Sequence, residues 1–216
     1  MRPSLRVLCT LPILLTACAA QPKVETPAVP APTVRPLAAL EAQQVVMTPT
    51  RSLRDADALG WTAQIPRSRD YLRELDDEIS TELVARGLKS WVFAPALARA
   101  ARSNPAYAVD PYALASEGLR NPQVISGARL RDPLASQLRT IIALQESARA
   151  VLLPVELRFE KLPSGEGVAV LRLALIDGRL SEIRWIGDVR GDPSATFSRE
   201  LLTSLAAHFA DLITAR

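Results

Sequence analysis

Three consecutive runs near the C-terminus constrain this chain more than anything before them. Val151, Leu153, Val155, Leu157 and Phe159 alternate with other residues, Pro163-Ser164-Gly165 turns the chain, and Val168 to Ile176 follows as a second apolar run. Asp177-Gly178 turns it again into Ser181 to Val189. Period-two patterning joined by short Gly-containing turns predicts an antiparallel meander. Asp192-Pro193 then reads as the start of a terminal helix that aligns Phe197, Leu201, Leu205, Phe209 and Leu212, an apolar stripe suited to packing across a sheet.

Upstream, Gln44 to Pro49 reads as a short strand ended by proline. A helix starting at Ser68 or Asp70 places Leu72, Leu75, Ile79 and Leu83 on one face, with Gly87 at a left-handed C-cap. Trp91-Val92-Phe93 is expected as another strand, and Pro95 opens a helix that stops at Asn104-Pro105. Asp110-Pro111 and Asp132-Pro133 each combine an N-cap with a first-turn proline. They predict a short helix over 111–118 and a firmer one carrying Leu134, Leu138, Ile141 and Ile142 to about Ser147. The sum is an α/β (α+β) domain over 44–216, a mixed sheet of about five strands covered by helices, the last one long.

The first residues carry a different message. Arg2 and Arg6 precede an apolar stretch, Val7 to Leu15, too short to span a bilayer, and Thr16-Ala17-Cys18 follows. This arrangement resembles the bacterial lipobox, which implies cleavage after residue 17 and acylation of Cys18, since a thiolate is a strong nucleophile. Ala19, where an aspartate favours inner-membrane retention, directs the reading to the periplasmic face of the outer membrane, with the inner membrane as the alternative. Pro22, Pro27, Pro30, Pro32 and Pro36 mark 18–43 as a tether; about twenty residues at ~3.1 Å each in polyproline II reach ~60 Å.

Of the 26 basic residues, Arg2 and Arg6 leave with the leader, so the remainder nearly balance the 23 acidic ones. Without a basic cluster, nucleic-acid binding is not expected, because it depends on neutralising several phosphates. The two cysteines are Cys9, in the leader, and Cys18, so no disulfide is available to the mature chain.

The element order resembles the small α/β domain shared by the TolB N-terminal domain, secretion lipoproteins of the CsgG type and lipoprotein activators of penicillin-binding proteins (LpoB-like). The residues that carry this are Leu75-Asp76-Asp77-Glu78-Ile79 in the first helix and Leu173 through Asp177-Gly178 to Ile183-Arg184-Trp185 in the meander. The resemblance implies a non-catalytic part of an envelope assembly.

The residues hold no catalytic signature. His208 is the only histidine and lies on or beside the apolar face of the last helix, where packing explains it. One histidine and no free mature thiol leave no structural zinc set, and no metal or other cofactor is expected. Glu74, Asp77, Glu78 and Glu82 fall on the solvent side of their helix with Arg73 and Arg86 as counterions, a solvated face or an acidic docking patch. The candidates for partner contact are Tyr107, Tyr112, Leu119 and Arg120 in the proline-rich segment 104–131, together with Trp61. The same segment could instead be a cover for the domain's own core. The function expected is a lipid-anchored periplasmic accessory lipoprotein, not an enzyme, that binds an envelope protein complex. Two other classes stay open: a self-assembling ring or pore subunit, and a carrier of lipid or another small ligand.

Overall fold

A computed structural model describes residues 35–107, 109–145 and 147–214. Four strands form one sheet in the order β1 (Val45–Met47), β2 (Ala150–Lys161), β3 (Gly167–Asp177), β4 (Glu182–Arg190). β1 runs parallel to β2, while β2, β3 and β4 form the antiparallel meander. Helices α1 (Ser68–Ala85) and α4 (Glu200–Asp211) cover one face. Helices α2 (Ala94–Ser103) and α3 (Leu134–Ala143), with a strap between them, cover the other.

The alternation of β2 conceals a change of phase. Val151, Leu153 and Val155 pack with α3 and the strap, whereas Leu157 and Phe159 pack with α1 and α4 on the opposite face. A bulge between Pro154 and Glu156 inserts the extra residue that reverses the facing. Pro154 is the reason it can sit in a central strand: with no N–H, it cannot complete a ladder, and an irregular position tolerates that loss. The consequence is functional, because the even positions beyond the bulge, Glu156, Arg158 and Glu160, end up together on the strap side of the sheet.

The first helix forms as its spacing predicts, with Leu72, Leu75, Ile79 and Leu83 buried and Gly87 at φ +95° closing it. The expected fifth strand is absent. Val92 makes a single parallel bridge to Val46, with Met47 N–H donating to Val92 O and Val92 N–H to Val45 O, before Pro95 turns the chain into α2. The sheet therefore has four strands, and Val92 shields the β1 edge. The short helix expected over 111–118 is instead two 3-10 turns, Pro111–Ala113 and Glu117–Arg120, and α3 stops at Ala143 rather than near Ser147.

The last helix starts later than Asp192-Pro193 predicts. Residues 191–194 remain tied to β3: Gly191 N–H donates to Ala169 O, and Ser194 and Gly167 exchange two backbone bonds. These bonds satisfy the backbone as extended chain, so α4 opens only at Glu200. Phe197 still reaches the core, closing an aromatic group with Trp61, Tyr71 and Phe159 whose centroids lie 5.6–6.3 Å apart.

The folded unit also reaches upstream of residue 44. Leu37 and Leu40 are buried against the core, and Leu37 N–H donates to Leu212 O at 3.1 Å, satisfying a carbonyl just past the end of α4. No helix among the described residues is long and apolar enough to cross a membrane.

Candidate partner-binding surface

The strap, residues 104–133, is pinned by side chains from three directions. From the loop after β1, Arg51 donates to the carbonyls of Leu114 and Tyr112. From α3, Gln137 Oε1 accepts from Ala115 N–H at 2.9 Å. From β3, Arg172 Nε donates to Leu119 O at 2.8 Å and a terminal guanidinium nitrogen to Asn121 O at 3.0 Å. Asp110 caps the Pro111 turn by accepting from Tyr112 N–H. These contacts satisfy backbone groups that irregular chain leaves unpaired, and they hold Leu114 and Leu119 in the core.

Beyond the strap's second turn the chain returns along β4. Gly127 N–H donates to Ile183 O, Ile183 N–H to Ala128 O and Leu130 N–H to Ser181 O, so 127–130 covers the start of the β4 edge. Between this segment and the N-terminus of α3 lies a cleft of about 570 Å³ with Leu119, Val124, Ile125, Ala128 and Ile183 in its walls.

Next to the cleft is a charged surface built on the phase change in β2. Arg158 lies between Glu160 and Asp188, 2.7 Å from each, Arg172 is 3.5 Å from Asp188, and Arg190 is 2.7 Å from Glu160. Glu156, 5% exposed, is held by Arg54 and approached by Arg120 at 3.9 Å. Burial opposes ionisation of Asp188 and Glu160, but the Arg158 guanidinium outweighs it and holds both carboxyls below their ordinary range. This is an ordered, paired array: Glu156 and Arg158 are buried in it, and an incoming partner meets the exposed members Arg54, Arg120, Asp188 and Arg190, which the pairing holds in place.

The sequence candidates divide accordingly. Arg120 and Tyr112 are at least partly open to solvent on the strap, and the backbone of Tyr107 lies in a 3-10 turn, Pro105–Tyr107. Leu119 and Trp61, each 5% exposed, spend their side chains on the core. Asp57 organises the turn that inserts Trp61, accepting from the amides of Leu59, Trp61 and Thr62 and from the Thr62 hydroxyl. Cys18 lies outside the described residues. His208 Nε2 is 2.9 Å from Asp192 Oδ1, at the rim of α4. Ser204, one turn away, accepts from Asp192 N–H and donates to Leu201 O, which are contacts that fix the loop before α4.

The acidic side of α1 is tied down as well. Glu74 and Glu78 pair with Arg199 of the loop before α4, and Glu82 with Arg86, which also reaches Asp211. Asp76 turns the other way and accepts from Thr50 N–H at 2.9 Å and Thr50 Oγ1 at 2.6 Å. Burial pushes its pKa up to about 6, against the lowering effect of the Thr50 bonds. A folded-state value above the unfolded 3.8 means the protonated form is favoured by folding, so this group's contribution rises as pH falls from about 7 to about 4. Asp76→Asn keeps an acceptor for Thr50 without the charge. Thermal unfolding should find the variant at least as stable as the parent at pH 8, with its advantage disappearing by pH 4.

The sequence alone does not show that Arg51, Gln137 and Arg172 anchor the strap, or that the charges of β2 to β4 pair with one another. Their signal is present: charged residues at every second position, 156, 158 and 160, on a strand adjacent to another bearing Arg172.

The chain matches no protein-family model and no curated protein. Among solved structures it is similar to a PelC dodecamer from Paraburkholderia phytofirmans, with 17% identity, 81% of this chain and 89% of that chain covered, and a TM-score of 0.40. It is also similar to E. coli LpoB, with 15% identity, 89% and 85% coverage and a TM-score of 0.37. The LpoB C-terminal domain from Salmonella enterica shows 10% identity, 73% and 94% coverage and a TM-score of 0.38.

Proposed function

We propose that this protein is a lipid-anchored accessory lipoprotein of the bacterial envelope, on the periplasmic face of the outer membrane, which binds a protein partner and carries out no reaction itself. The observation that carries the reading is Cys18 at the end of Leu15-Thr16-Ala17, behind a basic start and a short apolar stretch. The domain supports it through what it displays: a braced strap and a fixed array of arginines and carboxylates, the polar framework of a recognition surface. Arginine suits such a role because its planar fork meets carboxylates in two directions at once. Tyr112 and Arg120 are the strap residues we assign to the contact.

A photo-crosslinking residue in place of Arg120, expressed in the native host, tests this. It should yield an adduct with an envelope protein, and the same probe in place of Ser164, in the β2–β3 turn, should not. Equal labelling from both positions, or none from Arg120, would overturn the assignment. An adduct at a multiple of the chain's own mass would replace it with self-assembly.

A further inference from the structure

The sheet has two ends, and the chain enters at only one of them. Pairing places Val45, Ala150, Asp177 and Glu182 side by side at that end, and Leu37, bonded to Leu212, brings the entering chain to the core they border. Two of the most exposed large apolar side chains flank the same region: Leu180, 56% exposed at the tip of the β3–β4 turn, and Ile125, 68% exposed on the cleft rim. Around them stand Arg131, Arg149 and Arg179, all exposed and without an ion-pair partner among the described residues. Continuity is set by bonds: Gly178 N–H donates to Arg149 O, Leu130 N–H to Ser181 O, and Arg139 to Ser181 Oγ. The nearby carboxylates are mostly engaged. Asp177 and Glu182 are held by Arg184, and Asp132 accepts from Ser136; Glu41 is exposed, with no ion-pair partner among the described residues.

We propose that this end of the domain rests on an anionic phospholipid surface, with Leu180 and Ile125 entering the headgroup layer and Arg131, Arg149 and Arg179 meeting lipid phosphates. Arginines with no ion-pair partner among the described residues, beside protruding apolar tips, suit a surface that offers both phosphate and hydrocarbon. Entry of the chain at this end makes it the end nearest along the chain to an anchor at Cys18, 17 positions before the first described residue. Tethering raises the local concentration enough for a weak contact to be occupied. The opposite end of the sheet and the first turns of the strap, with Tyr112 and Arg120, are left clear of the lipid. The inference builds on the anchored reading, but the surface claim has its own test.

Amide exchange of the full chain is measured with vesicles of phosphatidylcholine alone and with vesicles that also contain phosphatidylglycerol. Exchange in 177–182 and 123–131 should slow several-fold only with the anionic vesicles, while the 162–167 turn stays unchanged in both. The protection should vanish in the Arg149→Glu/Arg179→Glu variant and at an ionic strength of ~1 M, where the screening length is ~3 Å. Both arginines are exposed, and an unchanged thermal midpoint verifies that the variant is folded. Protection that ignores lipid charge, or equal protection of 162–167, would overturn the proposal. Intact mass of the same sample reports acylation separately, so a missing anchor and a missing lipid surface are distinguishable.

Discussion

Replacement of Cys18 by alanine should abolish incorporation of labelled palmitate and leave the leader attached, giving a heavier chain that no longer fractionates with the outer membrane. The expected effect is all-or-none. Each buried methylene of an acyl chain contributes roughly 0.8 kcal/mol, so two or three chains anchor stably, whereas the lipid contact proposed for the domain is weak and sensitive to salt. Exchange of residues 1–18 for an ordinary cleavable secretory leader should release the chain into the soluble periplasm. The two variants separate processing from attachment. Palmitate still incorporated by the alanine variant would place the acyl chain somewhere other than Cys18.

The largest effect on stability is expected from Phe209→Ala. Phe209 is fully buried on α4, in the cluster that joins α1 and α4 to the sheet. Truncation of such a residue removes its transfer free energy and leaves a cavity that the fixed helices cannot close, a loss of roughly 3–5 kcal/mol. Against a total of roughly 5–15 kcal/mol for a domain, this removes a large fraction of the stability, and at the lower end of that range nearly all of it. The neighbouring His208→Ala is the control: its ring is 39% exposed and makes one surface contact with Asp192, so a change within ~1 kcal/mol is expected. Urea denaturation compares the two directly. Equal losses would mean that α4 presents a different face to the sheet.

The elements legible in the sequence were those whose pattern and boundaries are set by the same local residues. Leu72, Leu75, Ile79 and Leu83 share one face and Gly87 stops the helix, so α1 is nearly complete from spacing alone. The meander was legible for the same reason, because turns at Pro163–Gly165 and Asp177-Gly178 delimit each run. What was not legible depended on distant partners. Pro154 bulges β2 where it faces Leu173, which moves Leu157 and Phe159 to the other face while the apolar spacing in the chain stays regular. Asp192-Pro193 looks like a helix start, yet the backbone bonds of Gly167 and Ala169 hold 191–194 extended.

The same distinction runs through the binding surface. Aromatic and apolar composition marked segment 104–131, but whether such a segment is open or closed is decided by Arg51, Gln137 and Arg172, which come from elsewhere in the chain. Leu119 is therefore drawn inward, as Trp61 is by the Asp57 turn, while Arg120 and Tyr112 stay accessible to differing degrees. Asp76, one of three consecutive acids, differs from its neighbours because helical rotation turns it toward Thr50, and a linear sequence does not display that partner.

Intact mass spectrometry of the protein extracted from host membranes with detergent tests the anchored account most directly. The account predicts a chain that begins at Cys18, lacks residues 1–17 and carries the added mass of two or three acyl chains on that residue. An unmodified chain that retains its first residues and is recovered from the cytosol would contradict it.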